Sequence, residues 1–285
     1  MAYTKLIPRS TPGAQVEEFS RDSAHYRLTI PSGKADQYRL AQLDDYTLLA
    51  RRQFPHRFHL GLPSSSSSAG SERRLRMSLS ARTSSDSLPG TWGFGLWNDP
   101  FGLSLGFGGS PFRLPALPNA VWFFGASEEN YLSFKSGLDT GEKNTRPTRP
   151  AVGNGFLAQA FRSPKFHPSL IPAGLALPFS RKVTRQMLGR VIEEDGVALS
   201  AEPSQWHGYK LEWSQKRVSF KVDNALVFES QVSPHPPLGV VIWIDNQYAT
   251  FTPEGKIGFG VLENPEPAWL EIKDVEIEPP PRTAA

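Results

Sequence analysis

Four acidic residues are the candidates for catalysis in this sequence, and each follows a strand-like run. Asp99 comes after TWGFGLW, Glu128 and Glu129 come after AVWFFGAS, and Asp245 ends IWID. A retaining glycosidase needs two carboxyl groups about 5 to 5.5 Å apart, one as nucleophile and one as acid and base. Hydrolysis by these residues therefore requires a fold that brings two of them together across an open groove.

Aromatic and amide side chains lie near the same acids. An indole ring offers an apolar plate to a sugar ring, and amide or carboxylate groups can bond its hydroxyls. The sequence thus predicts a ligand-binding set made of Trp97, Asn98, Trp122, Trp243, Asp245 and Tyr248. The alternative for Asn98 and Asp99 is a simple turn in NDPFG, and for the residues around Asp245 it is a strand end that packs an edge.

The run GTWGFGLWN allows two interpretations. Alternate residues of a strand share a face, so one face carries Trp92, Phe94 and Leu96 and the other carries Gly93, Gly95 and Trp97. If the first face fills the core, the glycines on the second face have two possible roles. They either let a ligand approach the backbone, with Trp97 beside it, or they permit close packing under a loop, with Trp97 as a core residue. Trp122, Phe123 and Phe124 run consecutively, which is typical of a strand buried on both faces.

No metal or cofactor is expected. The chain has no cysteine, and His56 and His59 of HRFH point to opposite faces of a strand, which argues against a shared metal. Asp99 alone supplies too few oxygens for calcium. The sequence contains no phosphate-binding loop, dinucleotide fingerprint or Ser-His-Asp arrangement. With a net charge of +3 and scattered Lys and Arg, nucleic acid is not an expected partner.

The elements that must position these residues are predicted to be short strands. The 26 prolines and 24 glycines spread along the chain indicate frequent turns. Alternating runs predict a strand over 25–30, another over 73–83, and three over 206–232 with a turn at Asp223 and Asn224. One helix is predicted over 180–196, beginning at Ser180 and ending at Gly196. The fold class is therefore all-β with about twelve strands.

Length and composition indicate one domain in the cytoplasm. We expect an N-terminal extension over 1–20, a single β-sandwich over 21–279 and a short tail over 280–285. The first residues contain no apolar run of signal-peptide length, and no stretch reaches the 18 or so apolar residues of a membrane span. The absence of cysteine fits a reducing compartment. Oligomeric state is not indicated.

Two segments carry a resemblance to a known family. WHGYKLEWSQKRVSFKVDNALVFE and WLEIKDVEIE resemble the corresponding strands of laminarinase-like β-glucanases, with His207 matching a histidine of the motif. The resemblance implies a concanavalin A-like jelly roll, in which two antiparallel sheets stack and a concave face holds sugars. GTWGFGLWN loosely resembles the strand that lines the family's cleft.

The sequence departs from this family at its catalytic strand. The family carries Glu-x-Asp-x-x-Glu or Glu-x-Asp-x-Glu there, whereas neither face of the corresponding run, ASEENYLSFKSG, offers two carboxylates. We therefore expect a non-catalytic protein that binds a small molecule or oligosaccharide on its concave face. Two alternatives stay open: a divergent enzyme that uses the same cleft for a glycoside or a less polar substrate, and a structural or interaction domain whose concave face is covered by loops or by the helix over 180–196.

Overall fold

The computed structural model describes residues 6–45, 74–99, 117–133, 153–164, 188–252 and 257–278. Within these ranges the chain forms sixteen strands and one short helical segment over 188–191. The strands are β1 (Ile7–Ser10), β2 (Gln15–Ser20), β3 (His25–Ile30), β4 (Leu40–Asp44), β5 (Leu75–Thr83), β6 (Thr91–Trp97), β7 (Ala120–Ala126), β8 (Gly155–Arg162), β9 (Glu193–Ala198), β10 (His207–Trp213), β11 (Val218–Val222), β12 (Ala225–Ser230), β13 (Gly239–Asp245), β14 (Gln247–Phe251), β15 (Ile257–Val261) and β16 (Ala268–Glu278).

Two seven-stranded antiparallel sheets form the body of the fold. Sheet A has the strand order β1-β4-β13-β6-β7-β8-β9, and sheet B has the order β12-β11-β10-β5-β16-β3-β2. Strands β14 and β15 form a separate hairpin. Half of the neighbouring strand pairs, such as β4–β13 and β5–β16, join strands that are far apart in sequence, as in a jelly roll. The predicted all-β jelly-roll sandwich of two antiparallel sheets is therefore confirmed.

The main core lies between the two sheets and follows the period-two pattern of the strands. In β5 the alternate residues Leu75, Met77, Leu79 and Ala81 are buried. In β6 the buried set is Trp92, Phe94 and Leu96, as the sequence predicts. The turn between β11 and β12 has positive φ at Asp223 and Asn224, and a register irregularity occurs between Lys273 and Glu276 of β16. The turn at Asp223 and Asn224 was predicted from the sequence.

Sheet A is buried on both of its faces. Phe123 of β7 belongs to the core between the sheets, whereas Trp122 and Phe124 belong to a second apolar cluster on the opposite side. We call that side the outer face of sheet A. The prediction that the strand containing Trp122 is covered on both sides is confirmed.

Two predicted elements differ from the structure. The helix predicted over 180–196 is helical only over 188–191 within the described residues, because Glu193–Ala198 pairs with β8 as strand β9. In the run over 126–137 that corresponds to the family's catalytic strand, Ala126 ends β7, Glu128 and Glu129 form a turn, and Tyr131 makes a single bridge to Thr250, while residues 134–137 lie outside the described residues. Backbone pairing with an adjacent strand thus overrode local helical periodicity in the first case.

Residues 6–20 contribute two edge strands. Strand β1 pairs with β4 at the edge of sheet A, and β2 pairs with β3 at the edge of sheet B. His56 and His59 lie outside the described residues. In the described part of the chain, no helix is long and apolar enough to cross a membrane.

Candidate functional site

An aromatic cluster occupies the outer face of sheet A. We define the outer aromatic cluster as Trp97, Trp122, Phe124, Phe161 and Trp243. Its centre is Trp122, whose ring centroid lies 5.5 Å from that of Trp97, 5.4 Å from Phe124 and 5.6 Å from Trp243. Strands β13, β6, β7 and β8 are consecutive in the sheet, which places these side chains side by side.

The glycines of β6 make room for the tryptophans of the cluster. Gly93 is paired with Trp243 of β13, and Gly95 is paired with Trp122 of β7. A Cβ atom at Gly93 would lie 2.8 Å from the Trp243 ring and 2.4 Å from the carbonyl oxygen of Phe123. The space above these glycines is therefore filled by the protein's own rings and backbone, which supports close packing rather than the approach of a ligand to the backbone.

Three indole N–H groups in the cluster have different environments. Trp243 Nε1 donates to Thr91 Oγ1 at 3.0 Å, and Trp122 Nε1 donates to the side-chain oxygen of Gln159 at 3.4 Å. Trp97 Nε1 is buried and has no hydrogen-bond acceptor among the described residues. Trp97 thus offers the cluster's one unused indole donor within the part of the chain described.

Asp245 lies at the edge of the cluster and is surrounded by donors. Its Oδ1 accepts hydrogen bonds from the Thr91 hydroxyl at 2.8 Å, the Thr91 amide at 3.3 Å and the Gln247 amide at 3.2 Å. Its Oδ2 accepts from the Tyr38 hydroxyl at 3.2 Å. Because Thr91 Oγ1 also accepts from Trp243, the carboxyl group of Asp245 holds the Trp243 ring through Thr91.

Burial controls the protonation of this network. It raises the pKa of Asp245 to about 6, although the hydrogen bonds from Thr91, Gln247 and Tyr38 oppose that rise. Burial, and then the charge of Asp245, raise the pKa of the Tyr38 hydroxyl well above its usual value. Tyr38 therefore stays a hydrogen-bond donor at neutral pH, while Asp245 titrates near physiological pH.

The structure separates the predicted site residues into two groups. Trp97, Trp122, Trp243 and Asp245 come together on the outer face of sheet A. Asn98 instead joins two loops: its Nδ2 donates to the carbonyl of Leu117 at 2.9 Å, and its Oδ1 accepts from the Asn119 amide at 3.0 Å. Tyr248 lies in the β14–β15 hairpin and packs over Gly260.

The other candidate carboxylates differ in their surroundings. Glu128 and Glu129 are exposed on the turn after β7. Asp99 is fully buried with a φ of 38°, and its charge adds to burial and to Asp245 in raising the pKa of Tyr38, the residue that donates to Asp245. The outward positions of β7 are occupied by apolar side chains, namely Ala120, Trp122, Phe124 and Ala126.

The outer face is largely covered. Trp122 and Trp243 are each 8% exposed, whereas Trp97 is partly exposed. Leu188 and Val191 of the short helix pack against the apolar cluster, together with Leu132. The helical segment therefore does lie over this face, as the covered-face hypothesis requires.

Sequence reasoning missed three polar residues of the site. Thr91 shares a face with Gly93, Gly95 and Trp97. Continuing the alternation of β6 two residues toward its N-terminal end from Gly93 would therefore have identified it. Tyr38 and Gln159 had no comparable signal, because Tyr38 is 207 residues from Asp245 and meets it only through the fold. Among the described residues, no group of three His, Asp or Glu side chains could hold a metal ion.

Comparisons with known proteins gave similarity at the level of structure alone. No protein-family model matches the chain, and no curated protein matches its sequence. A legume lectin-like domain from Entamoeba histolytica is similar with a TM-score of 0.45 and 8% identity, over 95% of this chain and 89% of that one. LamAcat from Zobellia galactanivorans is similar with a TM-score of 0.41 and 13% identity, over 89% and 77%.

A GlcNAcα1-4Gal-releasing endo-β-galactosidase from Clostridium perfringens is also similar, with a TM-score of 0.44 and 11% identity. The match covers 95% of this chain but spans 58% of the galactosidase chain. None of these similarities transfers a ligand or an activity to this chain.

Proposed function

We propose that the chain is a non-catalytic ligand-binding protein and that the outer aromatic cluster of sheet A is its site. The observation that carries the proposal is the buried Nε1 of Trp97, which has no acceptor among the described residues. A buried N–H without an acceptor costs about 1 to 3 kcal/mol. A hydroxyl or carbonyl oxygen of a bound ligand would remove that cost if the side chains that cover Nε1 move aside, while the apolar face of the ligand packs on the partly exposed ring of Trp97.

The ligand class we propose is a carbohydrate. A sugar ring has an apolar C–H face that packs on an indole and hydroxyl groups that accept from an N–H donor. Gln159 and Thr91 already bond the indoles of Trp122 and Trp243. Recognition would therefore depend on ring packing and on few hydrogen bonds, as for a short oligosaccharide or another compact small molecule.

The arrangement of acids supports binding without hydrolysis. Asp245 is engaged by the Thr91 hydroxyl, two backbone amides and the Tyr38 hydroxyl, so both of its carboxyl oxygens already accept hydrogen bonds from the protein. Glu128 and Glu129 are exposed on the turn after β7. A divergent glycosidase would need a second carboxyl group about 5 to 5.5 Å from Asp245. We expect no release of reducing ends from laminarin, with or without Asp245→Asn.

The test compares two tryptophan variants on a broad glycan array and in ligand-induced thermal shift. Trp97→Phe removes the unused donor but breaks no hydrogen bond to a described residue, so its stability cost is one of packing alone. Trp206→Phe, on the other sheet, is the matched control. We expect wild type and Trp206→Phe to bind the same uncharged glycan and Trp97→Phe to bind it about tenfold less, the effect of one lost hydrogen bond.

A covered structural face is the second candidate, and burial of the cluster favours it. Trp122 and Trp243 are almost inaccessible, and Leu188 and Val191 pack over the same side. If wild type binds no glycan on the array and shows no ligand-induced thermal shift, the binding proposal is overturned. The cluster would then be a second core that fixes the helix to sheet A.

A further inference from the structure

Cationic and aromatic side chains alternate in a row on the far side of sheet B. We define the cation–aromatic row as Phe19, Arg27, Trp269, Arg82, Trp206 and Lys273. The Arg27 guanidinium lies 5.4 Å from the Phe19 ring centroid and 4.8 Å from that of Trp269. Arg82 lies 5.4 Å from Trp269 and 4.9 Å from Trp206, and Lys273 Nζ lies 4.5 Å from Trp206.

Strand register places the centre of the row in one line across three strands. Glu271 of β16 is paired with Arg27 of β3 on one side and with Arg82 of β5 on the other. Directly opposite residues of antiparallel strands point to the same face. Their neighbours Leu28, Leu270 and Ile272 are in the core between the sheets, so the row faces away from that core. It is therefore separate from the outer aromatic cluster of sheet A.

The row carries more positive than negative charge. Glu271 Oε2 accepts from Arg27 Nη2 at 2.9 Å and from Arg82 Nη2 at 3.0 Å, and its Oε1 lies 2.8 Å from His25 Nε2. Burial raises the pKa of Glu271, but these partners outweigh it and bring the pKa to about 2. One carboxylate thus faces two guanidinium groups, and Lys273 makes no ion pair among the described residues.

The unused groups of the row are N–H donors, not ring faces. Arg27 donates to Glu271 through Nη2 and its side chain is 32% exposed, but its Nε, which has no partner among the described residues, is buried, so a ligand must bond its Nη groups. Arg82 bonds through Nε and Nη2 to the same carboxylate oxygen. The rings of Trp206 and Trp269 are each approached by two of the protein's own cations. Oxyanions match such guanidinium donors, whereas stacking of nucleobases needs free aromatic faces.

We infer that the cation–aromatic row is a binding surface for an anionic polysaccharide that carries sulfate or carboxylate groups. Sulfate or carboxylate oxygens would bond the remaining guanidinium N–H groups and lie near Lys273. The exposed half of Phe19, 51% accessible, would contact the sugar backbone at the end of the row. Glu17 is paired with Arg27 in the strand register and is exposed, so it is the acid that opposes this binding.

Dextran sulfate and uncharged dextran provide matched probes, because they share a backbone and differ in sulfation. We expect immobilised dextran sulfate to bind the full chain at low salt, to release it as salt rises, and dextran not to bind. Lys273→Gln should weaken binding about twofold to fivefold, as loss of one exposed ion pair does. Lys221→Gln makes the same charge change on β11 of the same sheet and should leave binding unchanged. Glu17→Gln should strengthen it.

Three results would overturn the inference. They are an absence of binding to dextran sulfate at low salt, an equal effect of Lys221→Gln and Lys273→Gln, and binding of a poly(dT) oligonucleotide as tight as that of dextran sulfate. The last would mean a nucleic-acid or unselective polyanion surface. Trp97→Phe should leave dextran sulfate binding intact, so failure of this inference is distinguishable from failure of the function proposed for sheet A.

Discussion

Replacing Thr91 by valine tests how the site on sheet A is held together. The hydroxyl of Thr91 donates to Asp245 Oδ1 at 2.8 Å and accepts from Trp243 Nε1 at 3.0 Å. Valine has nearly the same shape but neither function. The change removes one hydrogen bond to a carboxyl group, worth about 1 kcal/mol, and leaves a largely buried indole N–H without an acceptor, at a cost of about 1 to 3 kcal/mol.

We therefore expect Thr91→Val to lower the free energy of unfolding by about 2 to 4 kcal/mol. For a chain of this size the melting temperature should fall by about 3 to 7 °C. Urea denaturation followed by tryptophan fluorescence measures the loss. Thr91→Ser is the control, because it keeps the hydroxyl and should cost less than about 1 kcal/mol. A valine variant as stable as the serine variant would refute the role of the Thr91 hydroxyl in positioning Trp243.

Other perturbations follow from buried groups elsewhere. Burial raises the pKa of Asp45 to about 7, above its value in the unfolded chain, so its contribution to stability is present at pH 4 and is lost as pH rises through 7. Asp45→Asn should therefore stabilise the chain at pH 8, by at most about 4 kcal/mol, and change little at pH 4, as pH-dependent urea unfolding would show. Glu271→Gln should destabilise the chain by about 2 to 4 kcal/mol in urea unfolding at pH 7, because it leaves Arg27 and Arg82 without their carboxylate. At pH 2 the carboxylate of wild type is about half protonated, so the destabilisation should be smaller. An equal destabilisation at pH 2 and pH 7 would contradict this. Gly93→Ala should cost more than 2 kcal/mol or prevent folding, since its Cβ would meet the Phe123 carbonyl at 2.4 Å; a melting temperature equal to wild type would contradict the packing.

Much of the fold was predictable because strand alternation is local. The split of β6 into a core face and an outward face, the two buried faces around Trp122, and the Asp223 turn all follow from period two and turn chemistry. The helix predicted over 180–196 was wrong over 193–196, because pairing of β9 with β8 depends on residues far apart in sequence. No local pattern contains that partner.

The site was predictable in part for the same reason. Trp97, Trp243 and Asp245 were found from the face they share within their own strands. Alternation could not decide whether the β6 glycines admit a ligand or permit close packing. The Trp243 ring that fills the space above Gly93 comes from another strand. The role of Asp245 was likewise hidden, because Tyr38 and Thr91 reach it from 207 and 154 residues away.

The most direct test of the proposed function is the ¹H–¹⁵N spectrum of the tryptophan indoles during titration with the tightest-binding uncharged glycan of the array. The account predicts that the Trp97 Nε1–H resonance shifts downfield with saturation as it gains an acceptor, while the Trp206 indole resonance on sheet B stays in place. A saturable titration in which Trp97 does not move, or in which Trp206 moves instead, would contradict the assignment of the outer aromatic cluster as the binding site.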